Sequence, residues 1–356
     1  MKSIGIICEY NPFHNGHKYH IEQIKKLYPN ACIVAIMSGQ FVQRGEPAFV
    51  NKFIRTEMAL EFVDLVVELP QFYAISYADD FARGGVMIAK MLELEGLSFG
   101  SESGEMATID IEINQPTVQD IRTGAAYPKL MGADLKSNDI LAHAYLKASR
   151  EIYPELALIP ITRLGNDYLD EALTGEISSA TAIRKSYFEN EAIERTMPRS
   201  ELIDNAVRWD DYFALLKYRI LSMDVDELAQ IYTMYEGLEN RLKKVIGGVE
   251  TFEALISEMV SKRYTKSRIQ RLLVYVLLNI KEKDVSRLKE VTAVRVLGMN
   301  DVGRTWIKAI DDIEIVTNVN RETRDHFGLE IKATEIYNFI SRSTKTDFNT
   351  PVVYGR

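Results

Sequence analysis

The sequence predicts an α/β fold with a mostly parallel sheet, followed by a mostly helical C-terminal part. Three observations carry this. Short apolar, β-branched runs alternate with amphipathic helical segments up to about residue 160. Those runs end at glycine, proline or asparagine, where a chain turns. Beyond about residue 190 the strand signals thin out and helical periodicity takes over, with a soft boundary near 190–205.

Ser3–Cys8 reads as a first buried strand, stopping at Glu9-Tyr-Asn-Pro12. Asn15-Gly16 precedes a helical stretch, His17 to Lys26, with Ile21 and Ile24 on one face. Ala31–Met37 is a second strand, ending at Ser38-Gly39. Thr56–Phe62 reads as helix, Leu65–Leu69 as a third strand closed by Pro70, and Asp79–Leu94 as an amphipathic helix. Leu97–Gly100 and Leu156–Ile159 are further strands, the second closed by Pro160. Such alternation suits a Rossmann-like parallel sheet. From Phe213 to Ile280 the pattern is helical, and Arg268–Ile280 reads as a core helix with a basic start.

The 356 residues, 46% apolar and 26% charged, suffice for a large buried core. Cys8 and Cys32, the two cysteines, each lie in an apolar run, as small core residues in a reducing compartment do. The apolar N-terminal run is too short for a signal peptide, and no stretch approaches ~18 apolar residues, so the expected location is the cytoplasm, away from membranes. The net charge of −8 speaks against a general nucleic-acid binder. Yet residues 241–310 hold 15 Lys/Arg against 7 Asp/Glu. That segment is either a nucleic-acid footprint or a solvated helical face.

Three of the five histidines, His14, His17 and His20, fall within seven positions. In one reading the turn binds phosphate: it follows a strand and opens a helix, whose N-terminal amides and dipole favour an anion. Gly16 would let backbone approach a phosphate, and two imidazoles would donate hydrogen bonds to charge developing on phosphorus. A second reading is a zinc site, although His14 lies ahead of the helix and no His-Glu-x-x-His pattern is present. A third leaves the histidines as polar turn residues.

His14-Asn-Gly-His17 after a first strand resembles the His-x-Gly-His signature of the nucleotidylyltransferase superfamily. Ile177-Ser-Ser-Ala-Thr-Ala-Ile-Arg184 resembles that superfamily's Ile-Ser-Ser-Thr-x-Ile-Arg element, one residue off its commonest form. Without that resemblance the second segment is a capped helix with Arg184 as a surface charge. The likeness tightens to the bacterial tRNA(Met) cytidine acetate ligases. Glu9–His17, Met37–Pro47, Phe99-Gly-Ser-Glu102, Ser137–Leu141, Ser179–Arg184, Arg263–Arg271 and Arg295–Asn300 resemble that family's blocks in order, over nearly the full length. One departure is Asn51-Lys52, where the family leads us to expect Asp-Lys.

The resemblance implies a nucleotidylyltransferase-like ATP and adenylate domain over 1–195 and a mostly helical tRNA-binding domain over 196–356. It implies that acetate attacks the α-phosphorus of ATP, giving acetyl-adenylate and pyrophosphate. The wobble cytidine of elongator tRNA(Met) then takes the acetyl group as N4-acetylcytidine. Mg2+ would accompany the polyphosphate, and acetyl-CoA would not be needed. His14 and His17 would be catalytic. The ATP site would take Ile7, Cys8, Glu9, Tyr10, Asn11, Pro12, Phe13, His14, Asn15, Gly16, His17, His20, Gly100, Asn138, Arg163, Ser179 and Arg184, with Lys185 beside Arg184 at the pyrophosphate. Lys262, Arg263, Lys266, Arg268 and Arg271 would track tRNA phosphates, and Tyr264 would stack on a base. Asn138 as a helix cap and Arg163 as a surface charge are the plainer alternatives. Two other functions compete: a small-molecule adenylyltransferase or ligase of the same superfamily, and a non-catalytic RNA-binding module. The basic helical half favours the tRNA ligase over the former, and the intact His14, Gly16 and His17 oppose the latter.

Overall fold

The computed structural model describes residues 1–102, 104, 137–163 and 175–355. Strand β1 (Ser3–Cys8) leads into helix α1 (Asn15–Leu27), then β2 (Cys32–Ser38) and a small hairpin, β3 (Phe41–Val42) and β4 (Glu46–Pro47). Helix α2 (Lys52–Ala59), β5 (Leu65–Leu69), α3 (Gln71–Ala74), α4 (Ala78–Met91) and β6 (Gly96–Ser101) follow. Next come α5 (Ser137–Ile152), β7 (Ala157–Thr162) and α6 (Ala180–Phe188). Strands β5, β2, β1, β6 and β7 lie side by side in that order, all parallel. The order reverses at β1, which pairs with β2 on one side and β6 on the other, so the crevice above their C-terminal ends is where such sheets bind ligands.

Both faces of the sheet are covered. Cys32, Val34 and Ile36 face one apolar cluster, and Ile33, Ala35 and Met37 face the other, as the two-residue period of a strand requires. Helix α1 buries Ile21 and Ile24 as its spacing predicts, but begins two residues earlier than expected because His14 caps it. Helix α2 likewise starts at Lys52 rather than Thr56, since the Asn51 side chain accepts the Phe53 N–H at 3.0 Å. Strand β7 runs through Pro160 instead of stopping there. Ala157 and Arg163 donate their N–H groups toward the β6 side, so residue 160, of opposite parity, turns its missing donor to the free edge.

The C-terminal part supplies α7 (Trp209–Ser222), α8 (Val225–Ala229), α9 (Leu238–Ile246), α10 (Phe252–Met259) and α11 (Lys266–Leu277), then α12 (Val285–Leu288). Its remaining elements are β8 (Ala293–Met299), α13 (Asp301–Ile307), β9 (Glu314–Val316), α14 (Gly328–Ser341) and β10 (Val353–Tyr354). Strand β8 returns to the first half's sheet, antiparallel to β5, with β9 and β10 parallel to it. The sheet thus draws strands from both sides of residue 195. Trp209 and Tyr212 of α7 and Tyr275 of α11 share one apolar cluster with Phe41 and Phe72.

Two buried cations hold this arrangement. Arg55, wholly buried on α2, donates to the carbonyls of Val50 at 3.0 Å, Glu9 at 2.6 Å and Ser38 at 3.0 Å, and to that of Gly39. It ties the exits of β1 and β2 together. Burial lowers its pKa to about 10, still well above neutrality, so it stays charged. Lys52, one turn earlier and equally buried, bridges Glu68 of β5 at 2.8 Å and Asp347 of the C-terminal segment at 2.7 Å. Burial disfavours its ammonium form, but the two carboxylates more than offset this and raise its pKa.

Removing one partner of a buried ion pair leaves an uncompensated charge, which costs about 3–5 kcal/mol. Lys52→Met is expected to destabilise the fold by that order, read as a shift of the denaturation midpoint. A midpoint equal to the wild type's would contradict the bridging role.

Candidate active site

The loop after β1 carries the histidine turn. Tyr10 adopts a left-handed φ of 47° and swings the chain over the sheet, and the Asn11 carboxamide oxygen accepts the Phe49 N–H at 2.6 Å. His14 is the N-cap of α1: its Nδ1 accepts the Gly16 N–H at 3.0 Å, while His17 Nδ1 accepts the His14 N–H at 3.2 Å. A ring nitrogen that accepts carries no proton, so both imidazoles are Nε2–H tautomers. Their rings lie 3.8 Å apart, and Tyr10 packs edge-on to His17 at 4.9 Å. His20 Nε2 lies 2.8 Å from Ser98 Oγ on β6, pinning α1 across the switch point. The histidine spacing therefore resolves as a reciprocal helix cap. Among the described residues no group of three His, Cys, Asp or Glu side chains could hold a metal ion.

Burial, reinforced by Arg163 and Arg184, lowers the pKa of His14 to about 3. Burial, then His14, Arg163 and His20, holds His17 well below its ordinary value. Burial and Arg163 bring His20 to about 4. All three are neutral at pH 7, which makes His14 and His17 fixed neutral donors.

A cleft of about 960 Å³ opens over the turn. Ile7, Cys8, Glu9, Tyr10, Asn11, His14, Gly16, His17, His20, Gly100, Asn138, Arg163, Ser179 and Arg184, of the expected nucleotide set, line it; Pro12, Phe13 and Asn15 do not. Phe13 is fully buried against Phe62 at 5.0 Å, and Asn15 donates to the carbonyls of Glu176 and Arg195, both at 2.8 Å. These three shape the turn from behind. The first turns of α1, α4, α5, α6 and α11 all contribute to the wall, so several helix N-termini open on one space.

Ser179 is both cap and wall: its Oγ accepts the Ala182 N–H at 3.0 Å. Arg184 donates to the Asn11 carbonyl at 2.7 Å and meets Glu46 at 3.4 Å, so it braces the histidine turn rather than standing as a surface charge. Asn138 donates to Glu102 at 2.8 Å. Gly100 lines the cleft, and the Arg163 stem packs beside it, within 3.1 Å of where a Cβ would stand. Asn51, the departure from the family pattern, is 2% exposed, caps α2 and donates to Asn338 at 3.2 Å. It is absent from the cleft wall, so its part is structural.

Of the basic set, Arg263, Arg268 and Arg271 line the same cleft, whereas Lys262 and Lys266 are exposed outside it. Tyr264, expected to stack on a base, is instead 7% exposed. Arg268 covers its ring at 4.7 Å, and its hydroxyl donates to Glu236. Arg271 reaches the Gln43 carbonyl at 3.2 Å and lies over the Tyr77 ring at 4.2 Å. The β3–β4 hairpin brings these parts together. Gly45, with φ of 75°, sits so close to α11 that a Cβ would fall 2.2 Å from the Arg271 nitrogen. Sequence reasoning missed Gln43, Arg44, Tyr77 and Tyr235 as wall residues. The first two stand in a quoted family block, whereas Tyr77 and Tyr235 carry no local signal.

The histidines also set a pH dependence. Unfolded, each would titrate near ~6.5; folded, His20 does so near 4. Between those values the unfolded chain binds more protons, so stability is full above pH 6.5 and falls as the pH drops toward 4. Chemical denaturation across that window is expected to show His20→Gln with a shallower fall than wild type, by about one proton. Parallel curves would contradict the buried neutral state.

The chain matches the HIGH nucleotidyl transferase family over residues 1–350. It is 42% identical to a Staphylococcus carnosus protein named tRNA(Met) cytidine acetate ligase, covering 99% of this chain and 98% of that one. A Staphylococcus aureus protein of the same name is 40% identical, with 99% of each covered. Among solved structures, apo Thermotoga maritima TmcAL superposes with a TM-score of 0.89 at 27% identity, and the same protein bound to alpha-thio ATP with 0.87 at 26%; each comparison covers 99% of both chains. With its signature turn, its sheet order and these relatives, the chain belongs to the tRNA(Met) cytidine acetate ligase family of HIGH nucleotidyl transferases.

Proposed function

We propose that this chain activates acetate with ATP and passes the acetyl group to the wobble cytidine amine of elongator tRNA(Met). One observation carries the reading: the histidine turn and Arg263, Arg268 and Arg271 line a single cleft. An enzyme joining a small adenylate to a large polyanion needs such a shared space.

The first step needs charge management rather than a base. Acetate is already ionised at pH 7, so its oxygen can attack the α-phosphorus directly. The acetyl oxygen–phosphorus bond forms as the bond to the pyrophosphate oxygen breaks. The Nε2–H groups of His14 and His17 are the donors suited to the oxygens of the crowded phosphorus. Arg163 and Arg184, in the same wall, supply the positive field that lets an anion approach a polyanion. Mg2+ would travel with the polyphosphate, held mainly by phosphate oxygens and water. In the second step the cytidine amine attacks the acetyl carbon and AMP leaves, with no acetyl-CoA required. The helix N-termini and arginines fit the negative charge that both nucleotide and RNA bring. A small-molecule adenylyltransferase would not need these added arginines in the cleft wall.

His17→Ala is expected to lower acetate-dependent pyrophosphate release by about 10²–10³-fold, the cost of losing one such donor, with tRNA binding kept. Wild-type release in a folded variant would refute the donor role. Arg268→Glu is expected to weaken tRNA binding and reduce its salt slope by about one, with a much smaller effect on pyrophosphate release. Equal loss of both would move Arg268 to the nucleotide.

A further inference from the structure

Three carboxylates line the cleft among the described residues: Glu9, Asp79 and Asp80. Asp79 is paired with Lys147 at 2.8 Å and Asp80 with Lys289 at 3.1 Å. Glu9 differs. Its Oε1 accepts a neutral backbone donor, the Gln43 N–H, at 2.8 Å. The Gln43 carbonyl in turn accepts from Arg271 at 3.2 Å, so Glu9 stands at the seam between the histidine turn and the basic helix α11. Arg55 holds the Glu9 carbonyl at 2.6 Å, fixing the backbone beneath it. The residue as a whole is half-buried and stands in the cleft wall.

The first step asks no proton transfer of this group, since acetate needs no base. The second does. A cytidine amine that attacks a carbonyl becomes cationic and must shed a proton before the tetrahedral intermediate can collapse forward. We propose that Glu9 takes that proton, a role that rests on the ligase reading above. The amine nitrogen bonds to the acetyl carbon, the carbon–oxygen bond to the adenylate breaks, AMP leaves with that electron pair, and one amine proton passes to the Glu9 carboxylate. Solvent then removes it. The groups facing Glu9 are Arg44 and Glu46 of the hairpin, Arg184 of α6, Tyr145 of α5 and Cys8 of β1, besides Arg55 behind it. Burial raises its carboxyl pKa, with the Gln43 N–H and Arg44 acting against this, and a raised pKa makes a carboxylate a better proton acceptor.

The test measures both steps in wild type, Glu9→Gln and Glu9→Asp. Acetate-dependent ATP–pyrophosphate exchange reports the first step, and the chemical-denaturation midpoint reports separately that each variant is folded. Single-turnover acetyl transfer to elongator tRNA(Met) transcript, followed from pH 5 to 8, reports the second. Glu9→Gln is expected to lower the ratio of transfer to exchange by about 10²–10⁴-fold, with Glu9→Asp restoring part of it. Wild-type transfer is expected to fall at low pH as the carboxylate protonates, and the residual Glu9→Gln rate to lack that fall. An unchanged ratio, an equal loss of both steps, or an unaltered pH profile in Glu9→Gln would overturn the proposal. Wild-type enzyme that exchanges pyrophosphate yet acetylates no cytidine would overturn the ligase reading instead.

Discussion

The site depends on a charge that lies behind its wall, not in it. Arg55 sits wholly inside the protein and donates to the carbonyls of Glu9, Ser38, Gly39 and Val50. Carbonyls at the ends of parallel strands have no ladder partner, and leaving them buried and unpaired would cost free energy. One guanidinium, with its fixed fork of donors, satisfies four and so locks the exits of β1 and β2 against each other. The Tyr10 turn, the His14 cap and the hairpin that meets α11 all hang from those exits.

The chemistry then follows from placing neutral donors in a positive field. The reciprocal cap of His14 and His17 fixes both tautomers through backbone amides, without a carboxylate. Burial and the neighbouring Arg163 and Arg184 keep the rings uncharged. The same features that stabilise the start of α1 therefore fix two N–H groups, the donors we propose for the crowded phosphorus. The arginines carry the charge and the imidazoles carry the direction.

What was legible in the sequence was local. The strand–turn–helix around His14, Gly16 and His17 is contained in a few consecutive residues, and so is the Ser179–Arg184 cap. That the strands run parallel followed from their alternation with helices, whereas their order in the sheet did not. What was illegible depended on pairing over long distances or on buried charge. Ala293–Met299 hides as a strand because Arg295 interrupts its apolar run, yet Arg295 is buried and donates to the Thr317 carbonyl at 2.6 Å. Lys52 reads as a surface lysine until Asp347, almost three hundred residues away, closes on it. Tyr264 reads as an exposed ring beside a basic run, but Arg268 already covers it. Asn51, which left doubt as a departure from the family pattern, proves to be a helix cap away from the cleft.

The central claim is that one cleft carries acetate from ATP to a tRNA base. Its most direct test is nucleoside mass analysis of elongator tRNA(Met) incubated with the protein, ATP and isotopically labelled acetate, in the absence of acetyl-CoA. The claim requires labelled N4-acetylcytidine at the wobble position, formed only when ATP and acetate are both present. Unmodified cytidine from folded protein that still releases pyrophosphate with acetate would contradict it, and would return the basic wall to an acceptor other than this tRNA.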